Sequence, residues 1–573
     1  MIEHLLQQIL ENTALKLWPQ VKLPPIRVGL PKNPAHGDYA TNLAMILAPS
    51  AGLSAPEVAT KITQNLQDPE QVIQTTEIAG PGFINLRVSH LALQRIIPEI
   101  LKQGANYGLH PKNNQKVLVE FVSANPTGPL HIGHARPAFL GDAISRLLKA
   151  AGYEVTREFY INDAGNQVQI LAQSVYARYC ELFGQTAELA KDAYPGEYVI
   201  QIAQKLKDQD GDIWLDRADY LPRCIEIGIA ENLRNIRETL LKVGIEFDSW
   251  YSEQSLYEKD AIATLLADYR SRKMLYEAEQ AVGTQNKLRR EESKSAQYTH
   301  QQEGGTFLKT SQFGDEEDRI LLRKNGTPVY LLADIAYHQD KFARGFDRMI
   351  DVFGADHSGH VPRMRACMRA LGLDDKKLDF LLVQIVRMLK EGQEVKISKR
   401  SGQLVELSEW VEEVGIDVVR VVFLMRSANT QFDFDLDLAR KKSNENPVFY
   451  LQYGHARMAT ILAKAADIPP FSAKAGLLTL PEERNMLKKM AAYPEVILSA
   501  AHNLEPHRVL FYCHDLISDF HGYFTRYRHT ERIISDNLEL TQARLSLVRA
   551  LKQTLHNALS VLGISAPEHM EHD

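Results

Sequence analysis

Apolar residues Ile2, Leu5, Leu6, Ile9 and Leu10 recur at helical spacing, so the chain opens on an amphipathic helix. Residues 1 to about 112 mix short helical patterns with turns. One turn, Ala79-Gly80-Pro81-Gly82, leads into an apolar strand beginning at Phe83, and the polar loop 104–115 closes this α+β module. From Val117 the texture changes. Apolar runs of strand length at 117–122 and 154–161 flank a helix predicted at 133–151, which Gly152 stops. Unbroken apolar strands alternating with helices indicate a parallel sheet covered on both faces. Residues from about 180 to 310 are more polar and helical, and read as an insertion between two halves of that sheet. Alternation resumes through 319–332, 348–353, a helix at 362–371 and a strand at 380–386. After Ala439 only helical periodicity remains, at 451–465, 508–527 and 540–562. The predicted order is an N-terminal α+β domain (1–112), an α/β parallel-sheet domain with an insertion (113–440) and an all-α C-terminal domain (441–573).

A chain of 573 residues accommodates three to four domains of roughly 100–200 residues each. With 45% apolar and 24% charged residues it has an ordinary soluble composition, and no run reaches the roughly 18 apolar residues of a membrane span. Glu3 and Glu11 interrupt the first apolar stretch, so no secretory signal is expected and a cytoplasmic location is. Cys180, Cys224, Cys367 and Cys513 are scattered without a Cys-x-x-Cys pair, which speaks against zinc and against a disulfide frame. The net charge of −6 argues against indiscriminate DNA binding, while a local basic face for RNA stays possible.

The densest chemistry lies in Glu120-Phe121-Val122-Ser123-Ala124-Asn125-Pro126-Thr127-Gly128-Pro129-Leu130-His131-Ile132-Gly133-His134. Its prolines and glycines force a loop between a strand and a helix, and a helix N-terminus favours phosphate. Gly133 lets the backbone approach a nucleotide, and the imidazoles of His131 and His134 can donate to phosphates in an in-line displacement. Some 260 residues later, Lys396-Ile397-Ser398-Lys399-Arg400 supplies cationic donors for a departing pyrophosphate. Alone, each segment is also consistent with a turn or a solvated basic loop. As an ordered pair they point to ATP-dependent adenylyl transfer.

Together with Asn162-Asp163-Ala164-Gly165-Asn166-Gln167, Tyr330-Leu331-Leu332-Ala333-Asp334-Ile335-Ala336-Tyr337-His338, Gly354-Ala355-Asp356-His357, and segments 36–42, 80–85 and 446–457, these motifs resemble the arginyl-tRNA synthetases of class I over essentially the whole chain. The resemblance implies a Rossmann-like catalytic domain, ATP with Mg²⁺, L-arginine and tRNA(Arg) as partners, and a monomer. It implies that Pro129, His131, Gly133, His134, Lys396, Ser398 and Lys399 bind ATP. It further implies that Glu120, Tyr330 and Asp334 hold the arginine side chain, and that Ser123 and Asn125 place its α-amino and carboxylate groups. Asp356 and His357 would line the same crevice.

The pocket can also be reasoned from its ligand, since a guanidinium needs planar, bidentate carboxylate acceptors. Asp334 follows Tyr330 by four residues, so on a helical turn both face one way, although Asp334 could instead pair with Lys341 or cap a helix. A polar pocket of this kind rejects analogues by about 10⁴–10⁵, so no proofreading site is expected in the insertion. The resemblance implies tRNA contacts at Phe83 and Asn85 and an anticodon-binding C-terminal domain, where Arg526 and Arg528 sit among basic and aromatic residues suited to unstacked bases. Segment 36–42 reads as a capped turn with a structural role. The family is expected to need bound tRNA before it activates arginine. Two rivals remain: an enzyme for another amino acid, against which Glu120 and Asp334 speak, and a silent RNA-binding relative, against which both phosphate motifs speak.

Overall fold

The computed structural model describes all residues except 1, 30, 32, 34–35, 186–188, 190–191, 282–303, 395–405, 442, 444, 470–475 and 571–573. Two compact units emerge, one comprising Met1–His110, Lys442–Ala500 and Arg508–Asp573, the other Pro111–Lys441 and Ala501–His507.

In the first unit, β1 (Tyr39–Thr41), β2 (Ile73–Ala79) and β3 (Phe83–Val88) form an antiparallel sheet in the order β1-β3-β2. Ile84, Leu86 and Val88 alternate into the core, which puts Phe83, Asn85 and Arg87 on the opposite face. The two ends of the chain, read in sequence as separate domains, belong to this one unit because buried polar groups cross between them. Asp38 is 4% exposed and accepts from the Val88 N–H at 2.8 Å, from Lys488 Nζ at 3.1 Å and from Arg484. Burial opposes its charge, but the Val88 N–H and the two cations hold its carboxyl below the usual range. The Asn557 amide donates to the carbonyls of Gly104 and Tyr107 at 2.8 and 3.0 Å. The helices Pro447–Lys464, Pro481–Asn503, His507–Arg526 and Leu538–Val561 agree with the helical C-terminal pattern.

In the second unit, β4 (Lys116–Glu120), β5 (Glu154–Ile161) and β6 (Ser249–Ser252) precede a small antiparallel sheet of β7 (Leu275–Ala278), β8 (Gly305–Leu308) and β9 (Arg319–Arg323). Next come β10 (Arg348–Gly354) and β11 (Leu378–Val383). The central sheet is parallel throughout, in the order β11-β10-β4-β5-β6. Strand order reverses between β4 and β10, and ligands of such sheets bind beyond the carboxyl ends of the strands at that point. Leu118, Leu332, Ile335, Met349, Met364 and Leu378 form the core beneath it.

The strand β6 departs from the sequence reading, because it lies inside the expected insertion yet completes the main sheet. Its four half-buried residues, Ser-Trp-Tyr-Ser, sit at the sheet edge and carry no apolar run. Two helices of the expected insertion, Glu197–Asp210 and Leu221–Lys242, form a bundle with the preceding helix Asn166–Glu181, packed through Leu171, Val175, Val199, Ile202, Leu206 and Ile227.

Candidate active site

The strand β4 ends at Glu120, and the chain then turns sharply. Val122 and Ser123 have φ of +69° and +40°, and the Ser123 N–H donates to the Phe121 carbonyl at 2.9 Å. A β-branched residue in the left-handed region is strained by about 1–3 kcal/mol, which the surrounding bonds must hold. They do so through one hydroxyl: Ser123 Oγ donates to Glu120 Oε1 at 2.9 Å and accepts the Tyr160 N–H at 3.1 Å.

Behind Glu120 lies a buried chain of charges. Lys341 Nζ donates to Glu120 Oε2 and to Asp351 Oδ1, each at 2.6 Å. His338 Nε2 is 2.9 Å from Asp351 Oδ2, and its Nδ1 is 2.8 Å from the Asp334 carbonyl. Both ring nitrogens face atoms that only accept, so His338 is an imidazolium. Burial opposes that charge, as does Lys341, but Asp351 outweighs them and the His338 pKa is raised. Asp351 is likewise held well below the carboxylate range despite burial, by Lys341 and His338. Glu120, the most weakly compensated member, is raised by burial.

Asp334 stands at the outer end of this chain. Its side chain is 35% exposed, and His360 Nε2 lies 3.0 Å from its Oδ2. Burial pushes the carboxyl up, but His360 and His338 bring it below the usual range, so Asp334 is ionised. The partner of Lys341 is therefore Glu120 together with Asp351, not Asp334. Tyr330, 77% exposed, begins the helix Tyr330–Ala343, one turn before Asp334. A Cβ on Gly165 would lie 4.0 Å from the Tyr330 ring, which sets the 162–167 turn beside it.

The predicted helix after the signature loop begins at Ala135, behind a short turn at Ile132–His134. The rings of His131 and His134 lie 3.9 Å apart. The His131 N–H donates to His134 Nδ1 at 3.2 Å, and the Gly133 N–H donates to His131 Nδ1 at 3.1 Å. With both Nδ1 atoms accepting, each neutral ring carries its proton on Nε2, the atom able to donate to a phosphate. A Cβ on Gly133 would lie 2.9 Å from the His131 ring, so close approach of that ring requires glycine here.

Lys396, Ser398 and Lys399 lie outside the described residues. The chain that follows them returns to the signature loop, where Glu406 bridges His131 and the Leu407 N–H donates to the Leu130 carbonyl at 2.9 Å. Asp356 and His357 stand at the carboxyl end of β10 with side chains 78% and 59% exposed. The Phe353 ring packs against both His357 and His360, at 5.7 and 6.0 Å.

In the first unit, Phe83 is 41% exposed, whereas Asn85 is only 5% exposed and its Nδ2 has no hydrogen-bond partner among the described residues. Arg526 pairs with Glu482, and Arg528 is exposed. Arg544 and Lys552, read in sequence as part of the basic surface, are engaged internally: Arg544 is 3% exposed against Glu483 and Glu531, and Lys552 pairs with Glu568.

Sequence reasoning missed Asp351 and His360, and the parts that His338 and Lys341 play in the buried network. Asp334, His338 and Lys341 follow one another at i, i+4 and i+7 on the helix Tyr330–Ala343, a polar stripe that could have been read. Asp351 and His360 carry no such signal, because they meet the stripe only in three dimensions.

Comparison with known proteins finds the arginyl tRNA synthetase N terminal domain at residues 1–88, the class I (R) tRNA synthetase catalytic domain at 96–218 and 284–431, and the DALR anticodon binding domain at 451–570. An arginine–tRNA ligase of Anaeromyxobacter sp. is 42% identical over 100% of this chain and 97% of its own length. One from Moorella thermoacetica is 42% identical over 96% of this chain and 94% of its own. The fold of Thermus thermophilus arginyl-tRNA synthetase superposes with a TM-score of 0.72 at 22% identity, covering 100% of both chains.

Proposed function

The chain belongs to the arginyl-tRNA synthetases, enzymes that ligate arginine to its tRNA at the expense of ATP, and from that premise we propose how its residues divide the work. Asp334 and Glu120 receive the guanidinium and Tyr330 flanks it, while Ser123 and Asn125 hold the α-amino and carboxylate end. The observation that carries this reading is the ionised, partly exposed Asp334 at the mouth of a buried network whose inner end is Glu120. Because Lys341 already neutralises one Glu120 oxygen, Asp334 contributes the larger share of attraction for a cation. Asp356 and His357 line the outer edge of the crevice.

The arginine carboxylate attacks the α-phosphate in line, forming arginyl-adenylate as pyrophosphate leaves. Pro129 and Gly133 shape the nucleotide side. His131 and His134 donate from Nε2 to the charge that builds on phosphate oxygens, with Lys396, Ser398 and Lys399 on the leaving pyrophosphate. The donors named here suit anionic oxygens rather than a metal, so Mg²⁺ would be held chiefly by the triphosphate and would supply neutralisation of phosphate charge. A terminal ribose hydroxyl of tRNA then takes the arginyl group and AMP is released.

In this reading residues 1–112 contact tRNA through Phe83, with Asn85 beneath it, the catalytic domain spans 113–440 with its insertion about 180–310, and 441–573 bind the anticodon loop through a surface that includes Arg526 and Arg528. The enzyme acts as a cytoplasmic monomer, and arginine activation waits for tRNA. ATP–pyrophosphate exchange measured with and without tRNA tests that last point: exchange dependent on tRNA is expected, and brisk exchange in its absence would overturn it.

A further inference from the structure

The signature loop is held from outside the sheet. Residues 125–129 include two prolines, which donate no N–H, so the loop cannot tie itself down through a backbone ladder. Instead, each of the three bundle helices supplies one side chain to three consecutive loop residues. Asn125 Nδ2 donates to Gln167 Oε1 at 2.7 Å, Asn232 Nδ2 donates to the Pro126 carbonyl at 3.1 Å, and the Tyr198 hydroxyl donates to the Thr127 carbonyl at 2.7 Å. Asn232 is 2% exposed, and among the described residues the Pro126 carbonyl is its one amide acceptor.

The Tyr198 ring has a seat made for it. A Cβ on Gly196 would lie 2.5 Å from the ring, and one on Gly128 would lie 3.2 Å from the hydroxyl. Neither glycine has positive φ, so space around Tyr198, not backbone freedom, is what a side chain at 196 or 128 would violate. Burial raises the Tyr198 hydroxyl above its ordinary range, keeping it a donor.

We infer that the Asn166–Glu181, Glu197–Asp210 and Leu221–Lys242 bundle is a brace for catalysis, and that Tyr198 and Asn232 are positioning residues. Through the Thr127 and Pro126 carbonyls they fix the loop that carries Asn125 toward arginine and His131 and His134 toward ATP. This deepens the site assignment above and rests on it. The carbonyls cannot be mutated, but their donors can. Y198F removes one hydroxyl without changing the ring, and N232L keeps the side-chain branching without the amide.

Steady-state aminoacylation of tRNA with the full-length variants is the test, with each of the three KM values determined and thermal unfolding followed in parallel. Each variant is expected to raise the KM for ATP and for arginine about tenfold, a change matching the net worth of one to two hydrogen bonds, while the KM for tRNA and the unfolding midpoint stay in place. A fall in kcat that tracks a lowered midpoint with all KM values unchanged would overturn the inference, since a merely structural role alters the active fraction only. Unchanged constants in both variants would overturn it equally. N125A separates the two levels. If it leaves the arginine KM unmoved, the ligand role of Asn125 fails; if it raises that KM while Y198F and N232L do not, the brace alone fails.

Discussion

Lys341 and Glu120 are 221 residues apart in sequence and 2.6 Å apart in space, with side chains 0% and 5% exposed. The same ammonium reaches Asp351, so one cation neutralises two buried carboxylates at the point where the sheet changes direction. Glu120 is therefore part of a compensated group, and Lys341 sets how much negative charge that group keeps.

Removing that cation leaves the Glu120 carboxylate without its ion-pair partner and Asp351 with His338 alone. K341M should destabilise the catalytic unit by about 3–5 kcal/mol. Denaturant unfolding monitored by tryptophan fluorescence reads this directly, since Trp214, Trp250 and Trp410 all lie in that unit. A loss below about 1 kcal/mol would mean that the network contributes little.

The two signature histidines carry their ring proton on Nε2, and the side chains that imitate the two ring nitrogens differ. Glutamine places an amide near the position of Nε2, asparagine near that of Nδ1. H134Q is expected to keep kcat within about tenfold of the parent enzyme, whereas H134N should lose about 10²–10³-fold, the usual cost of one preorganised donor. Equal activity of the two variants in aminoacylation would refute the tautomer assignment drawn from the His131 N–H and Gly133 N–H contacts.

Asp38 joins the N-terminal sheet to Arg484 and Lys488 in the C-terminal helices. Its carboxyl sits below its ordinary value of 3.8, so the unfolded chain takes up a proton first as pH falls. The stabilisation is complete above that ordinary value and disappears as pH drops through the lower folded value. D38N should cost about 3 kcal/mol at neutral pH and flatten the acid limb of the stability curve below pH about 4. Unfolding midpoints of both proteins across pH 3 to 7 check this, and an unchanged acid limb would refute it.

Much of the architecture was legible because apolar runs and helical periodicity are local properties. The strand Glu154–Ile161 has the bounds its pattern predicts, and the last helix, Leu538–Val561, agrees to within two residues at its start. The edge strand Ser249–Ser252 was not legible, since four half-buried residues carry no period. Nor was the union of the chain ends, where contacts such as Asn557 to Gly104 join residues 453 apart in sequence. In the site, His131 and His134 could be named from their spacing around Gly133, and Glu120 and Asp334 from the family resemblance. The partners that fix their charge could not: Lys341 was weighed against Asp334, and pairs instead with Glu120 and Asp351 because the helix turns its inner face to the end of β4. Asn85 shows the converse, a residue read as base-contacting that lies 5% exposed.

The central claim is that an ionised Asp334 supplies the main attraction for the guanidinium beside a separate phosphate clamp. Aminoacylation kinetics of D334N, with arginine and ATP varied in turn, test it most directly. Loss of a charge-assisted contact of about 3 kcal/mol predicts an arginine KM raised about hundredfold, with the ATP KM moved less than about threefold. An arginine KM left at its original value, or an ATP KM that rises in step with it, would contradict the account.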